Sequence, residues 1–308
     1  MSQAVLKILA GTSIADAAAS AGTPVTVLAE AVETFVAAGH AALCAQVGHE
    51  WFHARIEFTR WENAETCFTS ALGPALCELR DNGIITRWWF IRKHPCWRLR
   101  MRAARTSSHA QITSTLDKLT ASAAISAWRR GIYEPETAAF GGPVGIGIIH
   151  DLHSADSACL LDYLTQPSTA LGRKEISMLL CAVLFNAAGL DSFEQADTWH
   201  RVTMMRPEPG SIPARLADKL RTLLTIPISA DAPFFRPEYP AAPALAWATA
   251  FSGTGHQLRQ QAAEGALDRG LRSILAHIVI FHWNRLGLPA STQAILAHAA
   301  RQALLPAD

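Results

Sequence analysis

The sequence contains few charged residues, no large excess of either sign and no closely spaced cysteines. Of its 308 residues 17% are charged and 50% are apolar, and the formal net charge is +1. A chain this close to neutrality has no overall field that would draw it to nucleic acid or to a membrane surface. Its six cysteines lie far apart without a C-x-x-C pair, which indicates reduced thiols rather than disulfides or a metal site.

Long apolar runs and targeting signals are also lacking. The N-terminus does not show the basic and apolar segments of a signal peptide. The longest apolar stretch, ISMLLCAVLFNAAGL at residues 176–190, is too short to cross a bilayer and predicts a buried core helix. We therefore expect a cytoplasmic globular protein with no membrane partner.

Residues 1–45 are predicted to form a small module of three short helices. Ser13 is placed to begin the second helix, and Gly22 and Gly39 are placed to end the second and third. Residues 46–308 are predicted to form a second, larger domain.

The spacing of the three helices resembles a helix-turn-helix, but their charge opposes DNA binding. Through Ala54 the only Lys or Arg is Lys7, and four acidic residues oppose it, which gives a net charge of −3. The acidic residues are Asp16, Glu30, Glu33 and Glu50. Negative charge is the wrong sign for phosphate contacts. We predict a docking or capping module and no DNA partner.

The second domain begins with a pattern that alternates between strands and helices. Pro74 is expected to kink the first helix, and Pro95 to lie in a turn between two strands. The order β-α-β-β-α-β is that of a ferredoxin-like unit. Strands are predicted at residues 51–59, 84–92, 97–102 and 132–136, and helices at residues 63–83 and 107–131.

The remainder is predicted to be helical. Eight of the sixteen prolines lie between Pro207 and Pro243, which predicts a loop or linker there. The fold class is therefore α+β, with a small N-terminal helical module, a ferredoxin-like unit and a mostly α-helical C-terminal half. Helices are predicted at residues 148–164, 173–187, 194–205, 214–224, 255–287 and 292–304.

The segment WWFIRKHPCWRLRMR, at residues 88–102, concentrates arginines in a predicted strand pair. A period of two places Arg98, Arg100 and Arg102 on one face of the second strand, with apolar side chains on the other. Clustered guanidinium groups suit carboxylate or phosphate recognition, because each offers a planar fork of donors. The alternative is a solvated strand face with scattered ion pairs.

Several histidines are further candidates. His150, His153 and Asp156 recur every three residues on one helix face, a spacing that favours capping and core hydrogen bonds over a metal site. His277 and His282 lie in an apolar helix, where an imidazole either serves as a tuned base or is satisfied in the core. The glycine-rich segment FGGPVGIG lacks the full P-loop and dinucleotide fingerprints, which disfavours a nucleotide site.

Four segments, in this order, resemble the C-terminal domain of lantibiotic dehydratases, in its thiopeptide-type bacteriocin biosynthesis branch. They are WWFIRKHPCWRLRMR, YEPETAAFGGPVGIGIIHDLHSADS, GLDSFEQADTWHRV and HIVIFHWNRLGL. The resemblance extends from Trp51 to the end of the chain. It implies an enzyme that modifies ribosomally made precursor peptides, each composed of a leader and a core. We expect neither a cofactor nor a metal.

In full-length dehydratases this domain removes glutamate from glutamylated Ser or Thr and leaves a dehydroamino acid. The resemblance implies this elimination here, with a separate glutamylating dehydratase subunit as partner, because 308 residues leave no room for a second large domain. Two alternatives stay open. A divergent branch joins two dehydroalanines in a formal 4+2 cycloaddition that builds a pyridine ring and expels the leader peptide, and an inactive chain would serve as a leader-binding adaptor.

The resemblance also implies the site residues. Arg98 and Arg100 match the strand arginines of the family's RLR motif and are expected to bind the carboxylates of the glutamyl group and the enolate. His277 is expected to act as general acid or base. Further substrate-binding residues are expected at Arg92, Arg102, Tyr133, Glu136, His200, His282, Asn284 and Arg285.

Two positions depart from the family pattern. Ala139 lies where the family commonly has Arg, and Ile280 lies where many members have His. On a helix His277 projects about 60° from Ile280 and His282 about 160°, so His277 is the nearer substitute and His282 suits a structural role. These departures favour the ring-forming alternative, whereas the largely intact YEPE and FGG segments favour elimination.

Overall fold

The structure is a computed structural model in which two compact units are described. They are Met1–Glu50 and Trp51–Asp308. The backbone is described for residues 1–166, 171–213, 215–226 and 228–305, and the side chains for the same residues except 40–50.

The first unit consists of three helices around a small apolar core. The backbone N–H of Asp16 donates to Ser13 Oγ at 3.1 Å, and Gly22 follows the second helix with a left-handed φ of 59°. The predicted N-cap and C-cap of that helix are therefore confirmed. The three helices are α1 (Ser2–Leu9), α2 (Ile14–Ala21) and α3 (Val25–Glu50).

The prediction that Gly39 ends the third helix is wrong. α3 continues without interruption to Glu50, and Gly39 has no positive φ. A glycine inside a helix costs only about 1 kcal/mol relative to alanine. The alanines that flank it in the sequence AAGHAAL are strong helix formers and sustain the helix across this position.

The second unit begins with a four-stranded antiparallel sheet. The spatial order is β2-β3-β1-β4, and helices connect the first strand to the second and the third to the fourth. This is the arrangement of a ferredoxin-like unit, so the predicted α+β class and strand order are confirmed. The strands are β1 (Trp51–Glu57), β2 (Ile85–Lys93), β3 (Cys96–Ala103) and β4 (Ala127–Gly131).

The position of the last strand corrects the sequence prediction. The preceding helix, α6 (Ser108–Ala121), ends ten residues earlier than predicted, and Ala123 follows it with a left-handed φ of 57°. The residues AWRRG then pair with β1, whereas the IYEPE segment is irregular. Pro135 lacks an N–H and cannot donate to a sheet ladder, which favours this outcome.

The helix between β1 and β2 is interrupted before Pro74. It consists of α4 (Ala64–Cys67), a wider π-helical turn at Phe68–Leu72, and α5 (Gly73–Asp81). Proline removes a helical donor and crowds the preceding turn, and the wider turn accommodates both effects. The expected irregularity near Pro74 is confirmed.

Apolar side chains cover both faces of the sheet. On one face Trp88, Phe90, Trp97 and Leu99 belong to the main core, together with residues of α5 and α6. On the other face Trp51, Trp89, Ile91 and Tyr133 form a smaller cluster with Phe281. Two helices of the C-terminal half, α7 and α12, contact β2.

The C-terminal half is helical, as predicted. Its apolar helix α8 has Ile176 through Phe185 buried, which confirms the prediction of a core helix. The helices are α7 (Gly142–Thr165), α8 (Arg173–Ala187), α9 (Ser192–Met204), α10 (Leu216–Leu224), α11 (Leu245–Ala263), α12 (Leu271–Leu286) and α13 (Ala290–Leu304).

The helix predicted at residues 255–287 is in fact two helices. α11 ends at Ala263, and Gly265 then takes a left-handed φ of 69° that a helix interior cannot contain. The loop that follows contacts the start of α7, where the Asp268 N–H donates to the Gly141 carbonyl at 3.1 Å. A Cβ at Gly142 would collide with the Asp268 carboxylate, which explains the glycine there.

No helix among the described residues is both long enough and apolar enough to cross a membrane.

Candidate active site

The arginines of β3 lie on one face of the sheet, as the alternating pattern predicts. Arg98, Arg100 and Arg102 are the cross-strand partners of Arg55, His53 and Trp51 on β1. Cross-strand partners project to the same face. We call this side of the sheet the arginine face.

Arg100 is the most buried of these arginines. Only 2% of the residue is exposed, and its guanidinium carbon lies 4.1 Å from the ring centre of Trp89 and 5.0 Å from that of Tyr133. Burial lowers the pKa of Arg100 to about 10, so the group stays charged at neutral pH. Among the described residues, Nε has no hydrogen-bond partner and Nη1 reaches only the Arg98 carbonyl, at 3.5 Å. No carboxylate among the described residues forms an ion pair with it.

Arg285 approaches the same indole but is neutralised. Its guanidinium carbon lies 5.8 Å from the Trp89 ring centre, its Nε donates to the Phe90 carbonyl at 3.0 Å, and Nη1 pairs with Asp156. Asp156 also binds His282 Nδ1, at 2.9 Å. Despite burial, these cationic and polar neighbours lower the pKa of Asp156. Arg285 and His282 therefore belong to a buried polar network of the core.

Arg92 lies on the opposite face from Arg100. Its guanidinium stacks 4.7 Å from the ring centre of Trp97, pairs with Glu65 and donates from Nε to the Arg285 carbonyl at 2.7 Å. Arg173 binds the same Glu65 carboxylate at 2.6 Å. These contacts anchor the end of α12, and they do not bring Arg92 to the arginine face.

Two neutral imidazoles do lie on the arginine face. Burial, aided by the charge of Arg100, lowers the pKa of His150 to about 4, and its Nε2 is 2.7 Å from the Tyr133 hydroxyl. Burial also lowers the pKa of His53 to about 4. Burial raises the pKa of Tyr133, so its hydroxyl stays protonated beside His150. Glu136, half-buried nearby, opposes the effect of burial on the Arg100 pKa.

The candidate base His277 has no described contact with Arg100. Its Nδ1 is 2.9 Å from the Ser273 carbonyl, and its ring meets Phe140 edge-on, with the centres 6.2 Å apart. Phe140 in turn contacts His153, whose ring centre is 4.7 Å from that of Trp89. Burial lowers the pKa of His277, with a contribution from the charge of Arg269. His277 is thus connected to the arginine face through intervening rings.

Two other expected binding residues lie on different surfaces. Asn284 Oδ1 accepts hydrogen bonds from Gln293 at 3.1 Å and Arg206 at 3.4 Å, on the side of α12 that faces α13. His200 is half-buried on α9, and its Nδ1 has no partner among the described residues. Neither has a described contact with Arg100.

The arginine face also carries a row of like charges. Arg129 on β4, Arg55 on β1 and Arg98 on β3 are successive cross-strand neighbours. Like charges directly opposite one another destabilise a sheet. Arg129 pairs with Glu57 at 3.1 Å, but Arg55 and Arg98 have no ion-pair partner among the described residues. On β3 this row ends at Arg98, two positions along the strand from the buried Arg100.

The histidines of α7 do not form a metal site. His150 binds Tyr133, Asp156 binds Arg285 and His282, and His153 packs on Trp89 and Phe281. Within the described ranges no three His, Cys, Asp or Glu side chains are arranged to hold a metal ion. The predicted core role of these side chains fits these contacts.

Comparison with known proteins identifies the family. The family described as lantibiotic biosynthesis dehydratase, C-terminal, matches residues 51–304. The chain belongs to this family. No curated protein sequence matches the chain significantly.

Three solved structures share the fold of this family member. The tRNA-dependent lantibiotic dehydratase MibB from Microbispora sp. 107891 is 17% identical with a TM-score of 0.62, over 83% of this chain and 28% of MibB. TsrL is 17% identical with a TM-score of 0.57, over 82% of this chain and 94% of TsrL. TbtD, a pyridine synthase from thiomuracin biosynthesis, is 11% identical with a TM-score of 0.52, over 83% of this chain and 97% of TbtD.

The structure of this lantibiotic dehydratase-like chain shows the surroundings of Ala139 and Ile280, the two positions noted in the sequence. Ala139 offers only its carbonyl, which lies 3.4 Å from Arg269 Nη1. Ile280 is buried, with 7% of the residue exposed. The Arg269 guanidinium, from the segment that precedes α12, therefore reaches the loop at Ala139.

Sequence reasoning missed His53 and Arg55 as members of the site. Both lie in the segment WFHARIEFT, whose alternation already predicted a strand. The same alternation places Trp51, His53 and Arg55 on one face. Only the pairing of β1 with β3 shows that these side chains lie on the arginine face.

Proposed function

We propose that this chain is a peptide-modifying enzyme that eliminates glutamate from glutamylated Ser or Thr and leaves a dehydroamino acid. One observation supports this above others: Arg100 is a buried guanidinium with no carboxylate partner among the described residues. An unpaired buried charge is costly to keep. A site that carries this cost is suited to receive negative charge from a ligand.

The elimination creates negative charge in two places. Loss of the α proton makes an enolate at the residue's carbonyl, and loss of the ester releases glutamate as a carboxylate. Guanidinium groups fixed in a dry site stabilise such charge without reorganising. In this proposal Arg100 stabilises the enolate, and Arg98 and Arg102, half-buried on the same face, bind the carboxylates of the glutamyl group.

The burial of Arg100 bears on substrate entry. The Tyr133 ring lies 5.0 Å from the Arg100 guanidinium carbon, and the segment between β4 and α7 that carries it is irregular. A substrate group that touches Arg100 must therefore displace neighbouring side chains. In this proposal Tyr133 and Glu136 contact that group as it enters.

The proposed substrate is a ribosomally made precursor peptide with a leader and a core. The chain spans 28% of the length of MibB. We assign the glutamylation that must precede elimination to a separate dehydratase subunit as part of the proposal. His277 is retained as a candidate general acid or base; it is half-buried, and its lowered pKa keeps the imidazole neutral and able to accept a proton.

A second candidate is pyridine formation from two dehydroalanines. It is favoured by the likeness to the pyridine synthase TbtD over 97% of that chain, and by Ala139 and Ile280 at positions where the family commonly has Arg and His. Cycloaddition creates less negative charge than elimination, so the unpaired Arg100 ranks it second.

Mass spectrometry of two peptide substrates separates these functions. One peptide carries an O-glutamylated serine, and the other carries two dehydroalanines behind a leader. Elimination predicts loss of one glutamate from the first peptide only. Ring formation with leader release from the second supports the cyclase, and binding of both without any change in mass supports the adaptor.

A further inference from the structure

We propose that His53 is the general base that takes the α proton of the glutamylated residue. The inference rests on the proposed function and assigns the proton acceptor to β1 rather than to α12. His53 is the direct cross-strand partner of Arg100, and only 5% of the residue is exposed. Directly opposed residues on an antiparallel pair have Cβ atoms about 4.5–5.5 Å apart.

The tautomer of His53 is set by the backbone. Its Nδ1 lies 2.8 Å from the Ile132 carbonyl oxygen, which can only accept, so Nδ1 carries the hydrogen. In the neutral ring Nε2 then holds a lone pair. Nε2 is buried and has no hydrogen-bond partner among the described residues. This is the arrangement of a proton acceptor whose orientation is fixed by its other nitrogen.

A glycine on the neighbouring strand makes room for this ring. Gly131 is the partner of His53 on β4, and a Cβ there would lie 3.3 Å from His53 Nδ1 and 3.4 Å from Cε1. Any larger residue would press against the imidazole. β4 therefore supports the ring in the orientation that binds Ile132.

The other histidines are less well placed to accept the proton. His150 Nε2 is already engaged in a hydrogen bond with the Tyr133 hydroxyl, at 2.7 Å. His153 is packed between Trp89 and Phe281, at ring-centre distances of 4.7 and 5.3 Å. His277 contacts Phe140 and has no described contact with Arg100. Among these imidazoles, His53 alone combines an unused nitrogen with direct strand pairing to Arg100.

The step is balanced without any added reagent. The Cα–H bond breaks and the proton moves to His53 Nε2. The electron pair left on Cα forms the Cα=Cβ double bond, and the Cβ–O bond breaks as glutamate leaves with its electrons as a carboxylate. Arg100 stabilises the enolate that connects the two events, and His53 later returns its proton to water.

The test compares histidine variants of the full chain on the O-glutamylated serine peptide. In His53→Asn the amide nitrogen can still donate to the Ile132 carbonyl, but no group replaces Nε2. His109→Asn is the matched control, because His109 packs on Phe52 at the opposite face of the sheet, 5.4 Å between ring centres. We expect kcat for glutamate release to fall at least about 100-fold in His53→Asn, with peptide affinity unchanged, and to stay near wild type in the control.

A second measurement covers the case in which His53→Asn is unstable. In His53→Ala, free imidazole added to the solution should restore glutamate release in a saturable manner, because it can occupy the vacated space. Retention of more than about a tenth of the wild-type kcat by folded His53→Asn would overturn the assignment. So would loss of activity in His277→Asn together with retention in His53→Asn, or a folded His53→Ala that imidazole does not restore.

Failure of the proposed function gives a different result. If the wild-type chain releases no glutamate from the peptide, both the elimination and the base assignment are overturned. If the wild-type chain is active and His53→Asn is equally active, only the base assignment falls.

Discussion

Arg100 and Arg285 both approach the indole of Trp89, but only Arg285 is paired with a carboxylate. Their guanidinium carbons lie 4.1 and 5.8 Å from its ring centre, and Asp156 neutralises Arg285 alone. Of the two buried guanidinium groups beside Trp89, that of Arg285 therefore has its charge compensated within the fold, whereas the charge of Arg100 has no carboxylate partner among the described residues.

The first prediction concerns stability at these two positions. Arg285→Met should lower the free energy of unfolding by about 3–5 kcal/mol, because it leaves the Asp156 carboxylate buried without its guanidinium partner. Arg100→Met should cost far less, since no carboxylate loses a partner. Urea denaturation of both variants at neutral pH measures the difference. Equal losses would contradict the distinction.

The second prediction concerns acid sensitivity. The pKa values of His53 and His150 are lowered to about 4 from the ordinary 6.5, mainly by burial. Between these values the unfolded chain binds protons that the folded chain does not, so stability falls as pH drops from about 6.5 to 4. Each group contributes up to about 1.4 kcal/mol per pH unit.

The variant His150→Gln removes the contribution of His150 to this pH dependence of stability, and the Gln side chain can still form a hydrogen bond with the Tyr133 hydroxyl. The difference in unfolding free energy between pH 7 and pH 5 should be smaller for this variant than for the wild type, by up to about 2 kcal/mol. Parallel stability curves for the two proteins would show that His150 is not held neutral.

The third prediction concerns the row of like charges. Arg55→Gln should raise stability by up to about 1 kcal/mol, because it removes repulsion between Arg55 and its neighbours on β3 and β4. The same change should weaken binding of the acidic glutamylated peptide and reduce the dependence of binding on salt.

Arg60→Gln serves as the control for charge alone, because Arg60 is exposed and forms a loose ion pair with Glu62 at 3.8 Å. Isothermal titration at low and moderate salt distinguishes the two variants. If both weaken binding equally, the effect of Arg55 belongs to net charge rather than to the arginine face.

The fourth prediction concerns the N-terminal unit, Met1–Glu50. Its sequence has one basic and four acidic residues, so it should not bind DNA despite its helix-turn-helix spacing. An electrophoretic mobility shift at physiological salt should show no complex with duplex DNA. A shift that disappears when residues 1–50 are deleted would contradict this and the docking role proposed for the unit.

Much of the architecture followed from short-range patterns. Alternation in WRLRMR placed Arg98, Arg100 and Arg102 on one face, and proline and glycine marked most turns. The site depended on long-range contacts that no local pattern contains. Arg285 meets Asp156 across 129 positions of sequence, and α7 and α12 bury a sheet face that the pattern alone could leave in solvent. Because this burial removes Arg100 and His53 from water, the pKa of each side chain is lowered.

The boundary errors have a common cause. The residues after α6 and after α11 continue an apparent helical pattern, but left-handed backbone at Ala123 and Gly265 ends each helix. In both places the chain leaves the helix to make a contact elsewhere, β4 on β1 in one case and Asp268 on Gly141 in the other. Tertiary contacts therefore override local periodicity at these two ends.

The single-turnover rate of glutamate release by the wild-type chain and by Arg100→Gln tests the role of the buried guanidinium most directly. The substrate is the O-glutamylated serine peptide at saturating concentration, and the melting temperature of each protein is measured alongside. Loss of one charge-assisted contact is worth about 1.5–3 kcal/mol, so Arg100→Gln should react at least about tenfold more slowly at an unchanged melting temperature. Equal rates in the two proteins would contradict the assignment of Arg100 and return the arginine face to a purely structural role.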